Sequence, residues 1–272
     1  DLSRDYRIQS FCRSMMTNAS ALAGVVVKEL YRRKDFYVLF VLTALLTLLL
    51  GSISFFNEQN IARYMKEFCL LLIWIASLVI AITTTARQIP TEREQRTIFP
   101  LLAKPVSRGD LIFGKFLGCW MASGMALLVF YIFFAAITGS REQHFSFVSV
   151  VQAFWLHWMM LGVVVGMVLL GSILFSAPSV NSTIAFVVVL GILFLGRHLN
   201  KVAMGLPEPS SSILYSLYYL IPHLEFYDIR DRVIHNVGPV SWWALGVATI
   251  YAAVYSALFQ MLAWLSFRRK TL

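Results

Sequence analysis

Gly109, Gly114 and Lys115 fit the spacing G-x-x-x-x-G-K, the pattern of a loop that cradles phosphates with backbone N–H groups and a lysine. Such a loop also needs a preceding strand, a flexible turn and a Ser or Thr after the lysine to hold magnesium. Here Phe116 follows Lys115, and Leu111, Ile112 and Phe113 already belong to a long apolar run. The spacing is therefore read as accidental, and no nucleotide or other cofactor site is expected in this chain. Gly114 with Gly118, and Gly162 with Gly166, form small-xxx-small pairs instead, the spacing that lets two helices approach closely.

Other chemistry is sparse. No Asp, Glu, Lys or Arg lies centrally in an apolar run, and there is no HExxH, no GxSxG and no pair of aspartates. His157 stands alone beside Trp155 and Trp158, which favours a packed histidine near a helix–helix hydrogen bond over a ligand. Ser77, Thr83, Thr84, Thr85, Gln152, Ser172, Ser256 and Gln260 add mild polarity, which either lines a pathway or bonds between helices and to their own backbone. His223, Glu225, Asp228, Asp231 and His235 are metal-binding types, but their spacing matches no metal site and they read as a solvated loop. Cys12, Cys69 and Cys119 are too widely spaced for a CxxC site or a disulfide framework and read as small packing residues.

The elements that must carry these residues are apolar. Of the 272 residues 58% are hydrophobic and only 14% charged, with a mean hydropathy of +0.71, whereas charge alone is near a quarter of a soluble domain. The net charge of +9 does not indicate nucleic acid, because the basic residues punctuate apolar blocks and form no stripe interleaved with surface aromatics. The expected fold is all-α, a polytopic integral membrane protein of one domain over residues 1–272 with six transmembrane helices at 36–56, 68–86, 112–138, 147–175, 181–197 and 242–267. A run of about 20 residues crosses roughly 30 Å of hydrocarbon at ~1.5 Å per residue. The fifth run is the shortest, and Pro178 is read as stopping the fourth.

Residues 21–34 read as an amphipathic interfacial helix, with Ala23, Val26, Val27 and Leu30 at helical spacing beside Lys28, Arg32, Arg33 and Lys34, lying on anionic membrane lipid. Residues 198–240 hold an apolar run, 213–221, too short to span, so they are expected to be a re-entrant or interfacial extracytoplasmic segment. Tyr215, Tyr218, Tyr219, Phe226, Tyr227, Trp242 and Trp243 supply its aromatic belt. With six spans, sixteen of the 23 basic residues fall on the side of both termini and residues 87–115, and seven on the other. Positive residues near span ends stay in the cytoplasm, so both termini are expected there.

Between the second and third spans lies the one long polar connection on that side. Thr91 with Glu94, preceded by Pro90, fits a capping box, so a helix is expected to start there; Ser107 with Asp110 repeats the arrangement. Between them Ile98, Phe99, Leu101 and Leu102 make an apolar knob flanked by Arg93, Arg96, Lys104 and Arg108. A knob of this kind on a polar loop is expected to dock on a partner or on the membrane surface.

Glu92, Glu94, Arg96-Thr97, Leu101-Leu102, Pro105-Val106-Ser107-Arg108 and Gly114-Lys115 together resemble the corresponding loop of ATP-binding-cassette (ABC) type-2 transporter permeases, the NosY-like group in particular. Pro100 departs from the helix former expected in that family. The overall plan of the chain is similar as well. The resemblance implies a non-catalytic permease subunit of an exporter in the cell inner membrane, paired with a second permease copy as a homodimer or pseudo-dimer. It implies two separate cytoplasmic ATPase subunits, which bind ATP and Mg. It assigns ATPase coupling to residues 91–107 and Arg108, that is to Thr91, Glu92, Glu94, Arg96, Thr97, Phe99, Leu101, Leu102, Pro105 and Ser107 together with that arginine. Two alternatives stand beside it: an ATPase-coupled membrane subunit for cofactor maturation or force transmission, and a membrane-embedded enzyme, which the lack of central ionisable residues opposes.

Overall fold

The computed structural model describes residues 24–25, 28, 37–38, 40–42, 44–45, 58–94, 108–141 and 146–269. Most of the expected interfacial helix and of the first span lies outside them, although Phe40 meets the rings of Phe130 and Phe133 at 5.7 and 5.9 Å. Among the described residues helix is the only regular structure, and there are no strands. In chain order the helices are α1 (Glu58–Ala86), α2 (Gln88–Glu94), α3 (Arg108–Arg141), α4 (Phe147–Leu174), α5 (Pro178–Met204), α6 (Ser210–Leu220), a 3₁₀ turn (Leu224–Tyr227), α7 (Arg230–Ile234) and α8 (Trp242–Arg269). Among the described residues, four stretches are long and apolar enough to cross a membrane: Arg63–Glu94, Arg108–Gly139, Phe147–Leu174 and Trp242–Arg269. The apolar part of α5, Pro178–Phe194, is shorter.

α4 is the hub. It is buried on nearly every face and packs against α1, α2, α3, α5 and α8, so its near-continuous apolar sequence reflects neighbours on all sides. α8 is the opposite case, with only Ala252, Ser256, Ala263 and Phe267 buried. These fall on one stripe, and three of them are small enough to let α8 lie closely along α4. At Gly166 of α4 an added Cβ would stand 3.3 Å from Cβ of Phe259 and 3.6 Å from the backbone oxygen of Ser256. The remaining faces of α8 expose Ile250, Val254, Leu258 and Met261, as a lipid-facing helix does.

α1 is already helical from Glu58, ten residues before the expected start of the second span at 68. Two further local expectations need correction. α2 starts at Gln88 and not at Thr91: Pro90 falls in its first turn, where its missing N–H has no intrahelical partner to lose, and Thr91 N–H donates to Arg87 O at 3.1 Å. Pro178 does not stop α4, which ends at Leu174; it opens α5, the position where its fixed φ suits a helix start.

Several of the scattered polar side chains are satisfied locally. Thr83 and Thr85 donate to Val79 O and Ala81 O, and Ser172 to Leu169 O. Gln152 spans α4 and the approach to α8, donating to Val240 O at 2.9 Å and accepting from Val240 N–H at 2.7 Å. These bonds favour helix packing over a polar pathway as the job of those residues.

Candidate functional site

At the end of the bundle where α1 runs into α2, a single turn residue, Arg87, separates the two helices. Gln88, Ile89 and Pro90 are buried, and α2 packs on α4. Gln88 and Glu92, four residues apart, share a face directed at α3. There Lys115, 5% exposed, donates from Nζ to Gln88 Oε1 at 3.0 Å and to Glu92 Oε1 at 2.5 Å. Charge-assisted bonds of this kind are about twice as strong as neutral ones, so α2 is fastened to the second turn of α3. The lysine of the apparent phosphate motif thus has its ammonium committed to α2.

The other edge of the same loop is pinned as well. Arg108, at the start of α3, donates from Nη1 to the carbonyls of Phe267 and Arg268 at 3.2 and 3.3 Å, and its Cζ lies 5.6 Å from the Phe267 ring. Carbonyls at the last turn of a helix lack intrahelical donors, so this arginine ties α3 to the end of α8. Of the residues expected to couple to an ATPase, Thr91, Glu92, Glu94 and Arg108 sit on these pinned flanks. Arg96, Thr97, Phe99, Leu101, Leu102, Pro105 and Ser107, with the apolar knob, lie outside the described residues.

The opposite, distal end holds a feature that the apolar spans alone do not reveal. Trp242 and Trp243, 70% and 82% exposed, mark the start of α8, as an interfacial belt does. Tyr227 Oη donates to Ala248 O at 3.0 Å, and His223 N–H donates to Tyr251 Oη at 3.0 Å. Nine residues at ~1.5 Å each separate Tyr251 from Trp242 by about 13 Å along α8, so the 3₁₀ turn lies alongside the second and third turns of α8. It and the residues just after it bring Glu225, Asp228 and Arg230 against the long helices.

Two of them form a bidentate pair, with Arg230 Nε and Nη2 donating to Asp228 Oδ1 and Oδ2 at 2.8 and 2.9 Å. The hydrogen bonds to Asp228 raise the arginine's pKa against the lowering effect of burial, so the guanidinium stays charged. Its Cζ stands 4.8 Å from the Trp74 ring, which stacks on His157 at 5.2 Å. His157 in turn faces Ser77 Oγ across 2.8 Å and Tyr131 Oη across 3.4 Å, joining α1, α3 and α4. Arg230→Gln is expected to lower stability by about 2 kcal/mol, because the Asp228 carboxylate keeps its partial burial and loses its counter-charge. Arg230→Lys recovers only part, since it keeps the charge but not the fork; thermal unfolding of the purified variants measures both.

The apparent metal cluster comes apart. Asp228 is held by Arg230, while His235 Nδ1 lies 2.9 Å from Asp231 O on the surface. Only His223 and Glu225 meet, with Nδ1 and Oε1 3.4 Å apart, and no group of three metal-binding side chains forms among the described residues. The solvated-loop reading also fails for this pair, whose side chains are each 10% exposed.

The glycine spacings point to part of the packing. Gly114 and Gly118 are buried, Gly166 meets α8, and Gly162 receives Trp120, whose Nε1 would be 3.0 Å from an added Cβ. Small-residue spacing does not single out Gly124. Trp120 and Gly124 in α3 repeat the W-x-x-x-G of Trp158 and Gly162 in α4, and each indole lies over the other helix's glycine. Trp120 Nε1–H donates to Trp158 O at 3.0 Å, Trp158 Nε1–H to Trp120 O at 3.2 Å, and the rings stack 4.8 Å apart.

A bundle of long apolar helices, with the short helix α2 locked to one of them, defines a multi-pass membrane protein. The ABC-2 family transporter protein model matches residues 27–272, and the chain belongs to that family. Membership makes it a membrane permease component of an ABC transporter and implies an ABC ATPase subunit as its partner. No curated protein matches the chain.

Proposed function

We propose that this chain is the non-catalytic permease subunit of an ABC exporter of the NosY-like group, with six spans, both termini cytoplasmic and the membrane being the cell inner membrane. It works as a homodimer or pseudo-dimer, and residues 91–107 receive two separate cytoplasmic ATPase subunits that bind ATP and Mg. The observation that carries the reading is the double anchorage of the loop, through Lys115 to α3 and through Arg108 to α8. A loop fastened this way passes a push or pull to several helices at once, as ATPase closure requires. The distal re-entrant segment is then extracytoplasmic.

The test is to purify the full chain with a candidate ATPase and reconstitute both in proteoliposomes. A stable complex whose ATP hydrolysis drives substrate movement supports the reading. An ATPase that neither binds the chain nor changes its rate overturns it.

A further inference from the structure

Glu225 is the least satisfied carboxylate in the distal segment. Its side chain is 10% exposed, and Oε2 is buried with no hydrogen-bond partner. Oε1 faces His223 Nδ1 at 3.4 Å, beyond good hydrogen-bond geometry. The carboxylate lies against Gly196 of α5, where an added Cβ would be 2.7 Å from Oε2, so the bare glycine is what admits it. Gly196 lies two residues past the apolar part of α5, Pro178–Phe194, so α5 closes over the carboxylate near the edge of that apolar stretch. A carboxylate buried with one oxygen unpaired is costly, and one that persists marks a candidate ligand site.

A chain of aromatic rings starts at His223, the carboxylate's neighbour. The Tyr218 and His223 rings are 4.4 Å apart, His223 and Phe226 5.2 Å, and Phe226 and Tyr251 6.1 Å. From Tyr251 the rings continue down one face of α8 through Tyr255 at 4.8 Å to Phe259 at 6.3 Å, spacings of four residues that keep them in line. Phe226 is 57% exposed, so the chain of rings is open beside lipid-facing α8. A buried carboxylate beside such a chain suits an organic cation, whose charge is attracted both to the anion and to the ring quadrupoles.

We propose that Glu225 and the rings beside it bind the ammonium head of an amphiphilic cation, whose tail lies along the Tyr251, Tyr255 and Phe259 track. This names a substrate class for the exporter reading above and rests on it. The same ammonium chemistry belongs to a free amphiphile and to a choline lipid headgroup.

The test uses the full chain in phosphatidylglycerol nanodiscs, with empty discs subtracted. Dodecyltrimethylammonium, dodecyl sulfate and dodecyl maltoside are titrated by calorimetry. Saturable binding of the cation alone is expected, weakened about tenfold or more in Glu225→Gln and about threefold in Phe226→Leu. Adding phosphatidylcholine to the discs separates the two sources: competition identifies a lipid headgroup, and no competition a free amphiphile. Equal binding of dodecyl maltoside, no saturable binding of the cation, or Glu225→Gln within twofold of wild type overturns the proposal. Should Glu225→Gln fail to give monodisperse protein, Phe226→Leu decides, and unchanged affinity there overturns it too. Failed cation binding in a chain that still forms the ATPase complex sinks this site alone, whereas a missing complex sinks the exporter reading.

Discussion

Lys115→Met lowers the melting temperature of the purified chain by roughly 5 °C, equivalent to about 2 kcal/mol for a protein of this size. The methionine keeps the apolar stem packed, so the change isolates the ammonium. Its loss leaves Glu92, 17% exposed, with its charge-assisted bond to α3 broken, and leaves Gln88 Oε1 without that donor. Removing one partner of a partly buried ion pair costs more than removing both. Lys115→Met combined with Glu92→Gln is therefore expected to recover about half of the lost stability. In the proposed complex both variants loosen α2 from α3, so ATP hydrolysis persists while substrate movement per ATP falls. Differential scanning fluorimetry reads the first effect and reconstituted transport the second. A lysine that only decorated an apparent phosphate motif would show neither.

Gly124→Ala costs about as much by a different route. An added Cβ there overlaps Nε1 of Trp158, with Cδ1 and Cε2 both at 2.8 Å, and the indole is held by its stack on Trp120 and its bond to Trp120 O. It cannot turn aside without giving up both. Overpacking of this kind typically costs 1–3 kcal/mol, and about 2 kcal/mol is expected here after the helix-propensity gain of alanine is offset. Gly162→Ala provides the internal control, because its nearest contact, Trp120 Nε1 at 3.0 Å, needs only a few tenths of an ångström of relief. The melting temperature should fall by roughly 5 °C in Gly124→Ala and by less than half of that in Gly162→Ala. Equal effects would show that the reciprocal tryptophans do not lock α3 to α4.

Long apolar runs announce themselves in a sequence, and the helices at Phe147–Leu174 and Trp242–Arg269 lie where hydropathy places them. The charges around residues 87–115 likewise single out the loop, because they form a polar block between two apolar ones. What the sequence conceals is who meets whom. Lys115 lies near a glycine spacing that mimics a nucleotide site, and only the packing of α2 reveals its partners, Gln88 and Glu92. Glu225 and Asp228 read as loop residues because the polarity of their own segment suggests solvent. Glu225 is covered by α5, and Asp228 is held by Arg230, which stands over Trp74 of α1, elements far away in the chain. The W-x-x-x-G repeat is present at 120–124 and 158–162, yet small-residue spacing alone directs attention to Gly114 and Gly118. A large ring opposite a glycine is as strong a packing signal as a second glycine.

The central claim, that residues 91–107 receive the ATPase, is tested most directly by the affinity between the purified permease and its ATPase. It is measured for wild type, Phe99→Asp and Leu102→Asp proteins of matched melting temperature, with coupled ATP hydrolysis followed in parallel. An apolar knob seated in a partner's groove carries hot-spot energy, so each aspartate should weaken association at least about tenfold and abolish coupling. Wild-type affinity and coupling in both variants would contradict the account.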